Sequence, residues 1–218
     1  MDAKAIKLID MVLQWEGGYG NVKHDAGGET YRGITRKNHP SWSGWKIVDS
    51  KKPLKYNQII KDKSLEENVR EFYYTHYYLP MKIDKMDVLL TSGQVFAMGV
   101  NAGLKTGPKL LQKAINKVYH TSIVVDGIVG KTTLSYANGG RRDEVANEVI
   151  NQCNSYYDAI VARKPTQRKF LNGWKNRVKG VTKTCSSSNS VTKAISSAIN
   201  STSSKVANFA SNIIKFFK

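Results

Sequence analysis

The chain has 218 residues, 40% of them hydrophobic, enough for a well-packed core, and it lacks the apolar run of about 18 residues that marks a transmembrane helix, so a soluble protein is expected. Lys and Arg number 34 against 17 Asp and Glu, and the resulting formal charge of +17 favours polyanionic partners: nucleic acid, anionic lipid or the phosphate-rich polymers of a bacterial envelope. The two cysteines, Cys153 and Cys185, lack metal-ligand spacing and read as free thiols, and Met1-Asp2-Ala3-Lys4 leads directly into an amphipathic segment, so no secretory signal is expected.

Ile6, Ile9, Val12 and Leu13 recur at helical spacing, which places Glu16 on the apolar side of a first helix. Gly17-Gly18 is a stop signal, so Glu16 is expected in the last turn, where the helix dipole disfavours another negative charge. Poor solvation and the dipole would both raise its pKa. A carboxylic acid held protonated near neutral pH is suited to protonating the leaving oxygen of a glycosidic bond. Asp25 follows in a turn-forming stretch with Gly27-Gly28, where water and backbone groups should keep it ionised. Two carboxyl groups in contrasting environments form an acid and base pair; a separation of about 6.5 to 9.5 Å would imply inversion, and about 5 Å retention.

Asn38 to Trp45 is turn-rich and carries Trp42 and Trp45, which either form a platform beneath a sugar ring or pack on the core. Ser64-Leu65-Glu66-Glu67 reads as a capping box that opens a helix ending near Leu79-Pro80, with His76 structural and Tyr73, Tyr74, Tyr77 and Tyr78 partly buried. Met86 to Asn101 is apolar nearly all round and predicts a buried helix. Thr106-Gly107-Pro108 opens another, with Leu110, Leu111, Ala114, Ile115 and Val118 facing inward and lysines outward. Gly130-Lys131-Thr132 mimics the end of a phosphate-binding loop, but Val125 stands where that motif needs glycine; Asp126-Gly127 reads instead as a tight turn before a helix from Thr132. Arg141 to Arg163 is a further helix, and Thr166 caps a last one carrying Phe170, Trp174 and Val178. From 181 to 218 the composition shifts to Ser, Thr, Asn and Lys with no acidic residue, and apolar spacing predicts an amphipathic cationic tail. Such a tail suits an anionic membrane, a docked position or disorder.

Several of these segments resemble one family. Glu16-Gly17-Gly18-Tyr19, Asp25-Ala26-Gly27-Gly28, Thr30 and Gly33-Ile34-Thr35 are similar to the N-terminal pattern of glycoside hydrolase family 108, the phage and bacterial N-acetylmuramidases. Asn101-Ala102-Gly103, Leu111-Gln112 and Val125 to Gly130 with Thr132 resemble its peptidoglycan-binding segment. Tyr156-Tyr157, Pro165-Thr166-Gln167, Phe170, Gly173-Trp174 and Arg177 resemble its closing helix. The order Glu16, Asp25, Thr30 is also similar to the catalytic order of phage-type lysozymes.

The resemblance implies a mostly α, lysozyme-like fold with a small turn/β segment beside the active site. It implies a catalytic muramidase region at 1–85, a peptidoglycan-binding helical region at 86–180 packed on it, and the tail at 181–218. The implied reaction cleaves the β-1,4 bond between N-acetylmuramic acid and N-acetylglucosamine, with Glu16 as general acid and Asp25 as base or electrostatic partner. Thr30 and Tyr19 would shape the water and sugar sites, and Gly28, Tyr31, Trp42, Trp45, Asn101 and Asp126 complete the implied substrate contacts. No metal or cofactor is implied. Expected partners are peptidoglycan and, through the basic tail, anionic envelope polymers or membrane; no nucleic acid is expected, because no helix shows a clustered arginine face. The implied setting is a monomeric phage endolysin, made in the host cytoplasm and acting on the cell wall, or a lysin carried in a virion. A lytic transglycosylase using Glu16 alone and a non-catalytic wall-binding or virion structural module are the alternatives.

Overall fold

The protein, described by a computed structural model over residues 1–21 and 28–186, is mostly α-helical and lysozyme-like, with one small antiparallel sheet. Helix α1 (Ala3–Leu13) begins where the Asp2 carboxylate accepts a hydrogen bond from the Ala5 N–H at 2.7 Å. It buries Ile9, Val12 and Leu13 as its periodicity predicts, but Leu8 takes the buried place expected for Ile6, which is 39% exposed. Its end differs from the expectation: the helix stops at Leu13 with Gln14 as C-cap, so Glu16 lies beyond the cap rather than in the last turn. Arg32 sits at this end. Its Nη1 donates to the carbonyls of Leu13 and Glu16, at 3.2 and 3.5 Å, and so sets a cation on the negative end of the helix.

Three two-residue strands follow, β1 (Tyr19–Gly20), β2 (Thr30–Tyr31) and β3 (Ile34–Thr35), paired antiparallel in that order. Tyr19 stands opposite Tyr31, and Tyr31 opposite Ile34, which points one face of the sheet into the core. Arg32 and Gly33 join β2 to β3 with φ of 50° and 76°, the two positive values a type I′ hairpin turn requires. After α2 (Gly44–Ser50), α3 (Lys63–Tyr73) continues into a π-helical turn, Tyr74–Tyr78. The cap of α3 is Asp62, whose carboxylate accepts from the Leu65 N–H at 3.0 Å, and not the Ser64 of the expected capping box.

Helix α4 (Leu89–Ala102) is the buried one, enclosed from Leu90 to Gly99 as its composition predicts, and it packs against α1, α5 (Thr106–Tyr119) and α7 (Arg142–Arg163). It crosses α5 closely at Gly107, where a Cβ would stand 2.0 Å from the Val95 carbonyl oxygen. Between α5 and α7 lie the Asp126-Gly127 turn and α6 (Lys131–Ala137). The last described helix, α8, spans residues 168–186. It passes through Gly180 unbroken, burying Val181 and Cys185, and the buried Gln94 amide of α4 donates to Val178 O and Thr182 Oγ1, both at 3.0 Å. The body therefore reaches residue 186. The helix thus crosses the composition change expected to open the tail at 181. The amphipathic stretch of the tail beyond 186 lies outside the described residues.

Cys153 and Cys185 are both free, and burial pushes their thiols up to about 12 and about 11, which leaves them unreactive. Among the described residues no helix is long and apolar enough to cross a membrane.

Candidate active site

The hairpin tip meets the residue that follows α1. A Cβ on Gly33 would stand 2.7 Å from Glu16 Oε2 and 2.6 Å from the Tyr73 hydroxyl, so the carboxyl packs where only glycine leaves room, at a φ that also favours glycine. Tyr73, buried on α3, donates its hydroxyl to Arg32 O at 2.8 Å, and Tyr77 stacks on it at 5.6 Å. Burial raises the Glu16 pKa; the guanidinium groups of Arg177 and, less strongly, Arg32 oppose the rise without cancelling it. Desolvation is thus the cause. The dipole half of the expectation falls away, because Arg32 occupies the helix end. Burial, reinforced by the Glu16 charge, also raises the Tyr73 and Tyr77 hydroxyls, which keeps both phenols protonated.

Two grooves meet at this carboxyl. One, of about 590 Å³, runs past Asp10, Trp15, Arg32, Ile59 and Arg70. The other, of about 220 Å³, runs past Tyr19, Gly20, Thr30 and Tyr56. Glu16, Gly17 and Asn57 border both. The glycines are needed for close approach: a Cβ on Gly18 would stand 2.4 Å from Gln58 O. Instead, Gly18 N donates to Asn57 Oδ1 at 2.8 Å and Tyr19 N to Gln58 O at 2.9 Å. Other carboxyls of the larger groove have cationic partners. Asp10 is bonded twice to Arg70, at 2.7 and 3.3 Å, and Glu66 stands 3.8 Å from Arg32.

The expected site residues separate into three groups. Thr30 lines the smaller groove with Glu16, on a strand whose partner Gly20 leaves room for its hydroxyl. Tyr19 borders the same groove but is mostly buried, donating to Glu29 Oε1 at 2.9 Å. Glu29 itself is held ionised: burial raises its pKa, but Lys52, Tyr19 and Arg36 together outweigh that effect. Asp25 lies outside the described residues, and Gly28, at φ 66°, borders neither groove.

The aromatic expectations need correction. Tyr31 is fully enclosed, its hydroxyl accepting from Ile60 N at 3.1 Å, so it presents no face to a sugar. Trp45 is 3% exposed; its indole N–H donates to His39 O at 2.7 Å, and Arg36 lies over its ring at 4.3 Å. Trp42 packs edge-on against Trp45 at 5.1 Å and against Phe72 at 6.3 Å. Neither tryptophan lines the grooves at Glu16: Trp42 seats on α3, donating its indole N–H to Asn68 O at 3.4 Å, and Trp45 packs on Trp42. Asn101 and Asp126 also stand away from the grooves. Asn101 donates to the Tyr157 hydroxyl at 2.8 Å and accepts from Arg177. Asp126 accepts from Gln112 and from Ile128 N, both at 2.7 Å, which locks the turn that mimics a phosphate loop.

Sequence pattern did not point to Arg32, Tyr73, Tyr77 or Arg177 as neighbours of Glu16. Arg177 is the most distant in the chain. It lies on α8 over the Trp15 ring at 5.7 Å, and a Cβ on Gly180, on the same helix face, would stand 2.9 Å from that ring. Tyr73 and Tyr77 gave a faint signal through their four-residue spacing, which places both on one helix face.

Residues 9–103 match the family model described as Glycosyl hydrolase 108, a span that holds Glu16, the hairpin, both groove walls and Tyr73. This is a glycosyl hydrolase 108 domain. Residues 106–179 match the model described as Predicted Peptidoglycan domain, from α5 to the Arg177 turn of α8. A glycoside hydrolase domain joined to a peptidoglycan-binding one supports peptidoglycan hydrolase activity, with peptidoglycan as the partner. Among solved structures the chain is similar to "Structure of Brucella abortus SagA", at 22% identity and a TM-score of 0.57, over 84% of this chain and 94% of that one. At that identity the likeness extends to the fold alone. No curated protein matches the chain significantly.

Proposed function

We propose that the chain hydrolyses the β-1,4 bond between N-acetylmuramic acid and N-acetylglucosamine, with Glu16 as the general acid. The observation that carries this reading is the Glu16 carboxyl, half-buried where two grooves meet, with a pKa raised by desolvation. Glu16 would give its proton to the glycosidic oxygen as the bond to the anomeric carbon breaks. Asp25 would serve as base toward water or as electrostatic partner to the developing positive charge, and the Thr30 hydroxyl, in the same groove as Glu16, would help seat the water.

In this reading the catalytic region expected at 1–85 extends through α4, where the hydrolase match ends at residue 103, and the wall-binding region follows to the expected residue 180, packed on α4 through α5 and α7. The charge of +17 would hold the enzyme on the anionic wall, as suits an endolysin or a virion-carried lysin. Digestion of purified peptidoglycan followed by mass spectrometry tests the bond. New reducing N-acetylmuramic ends are expected, and reducing N-acetylglucosamine ends would contradict the assignment. Ends bearing 1,6-anhydromuramic acid would assign a lytic transglycosylase instead. Asp25→Asn tests the second role: loss of hydrolysis supports it, and wild-type hydrolysis moves it to another residue.

A further inference from the structure

One segment of the groove walls has no counterpart in the residues expected from sequence. The turn at residues 55–58 is closed by Gln58 N donating to Lys55 O at 3.1 Å and by Lys55 N donating to Gln58 Oε1 at 2.9 Å. Asn57, in the left-handed region at φ 61°, then fastens the turn to the segment carrying Glu16. Its N–H donates to Tyr19 O at 2.7 Å, and its Oδ1 accepts from Gly18 N at 2.8 Å. The turn is therefore held rigidly, yet it leaves two large apolar side chains in solvent: Tyr56 is 78% exposed and Ile59 is 49% exposed. Single exposed apolar residues are ordinary, but these two border the two grooves that share one carboxyl. Tyr56 walls the smaller groove and Ile59 the larger, with Glu16 and Asn57 common to both.

We propose that Tyr56 and Ile59 are the sugar-contacting walls on the two sides of the cleavage point, Tyr56 taking a pyranose ring against its aromatic face. The proposal rests on the reading of Glu16 as the acid of a glycan-cleaving site. A pyranose ring presents a face of C–H bonds flanked by hydroxyls. An aromatic ring or an aliphatic side chain covers the C–H face without leaving buried polar groups unpaired. A ring held on a tethered turn loses little freedom on binding, so its contact converts efficiently into affinity. The tryptophans Trp42 and Trp45 border neither groove; their rings pack on one another, and Trp42 on Phe72 of α3. Asn57 adds a side-chain amide at the midpoint, where one sugar would leave Tyr56 and the next would approach Ile59.

Binding and turnover separate this proposal from the reading beneath it. In a Glu16→Gln background, the full chain is titrated with soluble glycan oligosaccharides released from peptidoglycan. Tyr56→Ala is expected to weaken binding about tenfold, Tyr56→Trp to retain it, and Ile59→Ser to weaken it in the same direction. With Glu16 intact, Tyr56→Ala is expected to raise KM on purified peptidoglycan more than it lowers kcat. Both side chains are exposed, so the variants should melt with the parent chain. A folded Tyr56→Ala that binds oligosaccharide and turns over like the parent overturns the proposal. Oligosaccharide binding that depends on Tyr56, in a wild-type chain that cleaves no peptidoglycan, would overturn the hydrolase reading and leave the sugar-contacting wall standing.

Discussion

At Glu16 the same desolvation that suits a proton donor works against the fold. A carboxyl whose pKa is raised on folding contributes stability that is complete below the unfolded value of about 4.3 and is lost as pH rises through the folded value. Glu16→Gln is therefore expected to melt at a higher temperature than the parent at neutral pH, with the difference vanishing below about pH 4. Equal melting temperatures at pH 7 would count against a desolvated carboxyl. Gly33 sets the opposite constraint, because any Cβ there would meet both the Glu16 carboxyl and the Tyr73 hydroxyl at a positive φ. Gly33→Ala is expected to lose about 1–3 kcal/mol of stability in urea titrations and to lose wall-degrading activity with it. The glutamate and its glycines were legible in the sequence because their order is local and specific. The tyrosine and arginines around them were not, since Tyr73 and Arg177 reach Glu16 only once α3 and α8 have folded, and Arg32 only once the hairpin has turned back onto α1.

Among the elements, α1 and α4 were predicted well, because eleven and fourteen residues are long enough for periodicity to show. The sheet was foreseen only as a turn/β segment, since strands of two residues carry no alternation to detect. The early end of α1 and the run of α8 past residue 181 share a cause. A cation from the hairpin capped α1 early, and core packing carried α8 past a glycine and into a Ser/Thr-rich stretch. Tertiary contact, not local propensity, accounts for both departures. The α4–α5 crossing makes the same dependence measurable. Gly107→Ala would drive a methyl group into the Val95 carbonyl, and a loss of about 1–3 kcal/mol is expected by chemical denaturation. An unchanged midpoint would mean the two helices separate more easily than their packing indicates.

Across the whole molecule, the segment matched as a peptidoglycan domain does more than follow the hydrolase domain in sequence. Its α8 lays Gly180 and Arg177 against Trp15, and the Arg177 guanidinium, tethered to Asn101 of α4, lowers the Glu16 pKa from across the fold. Removing that charge should let the Glu16 pKa rise further. The alkaline limb of the pH–rate profile, where the acid loses its proton, is then expected to move to higher pH in Arg177→Gln and to stay near the parent position in Arg177→Lys. A folded Arg177→Gln with an unmoved limb would contradict the coupling. The charge of +17 acts over a longer range, and binding to intact walls is expected to weaken as ionic strength rises from about 0.05 to about 0.5 M. Wall binding that is indifferent to salt would assign recognition to uncharged contacts alone.

The central claim is that the wall is cut by a proton held on Glu16, and the rate at which purified peptidoglycan is solubilised by the parent chain and by Glu16→Gln tests it most directly. A loss of about 10² to 10⁴ in rate, with the fold intact by circular dichroism, is the expected result. A folded Glu16→Gln that degrades the wall at the parent rate would contradict it.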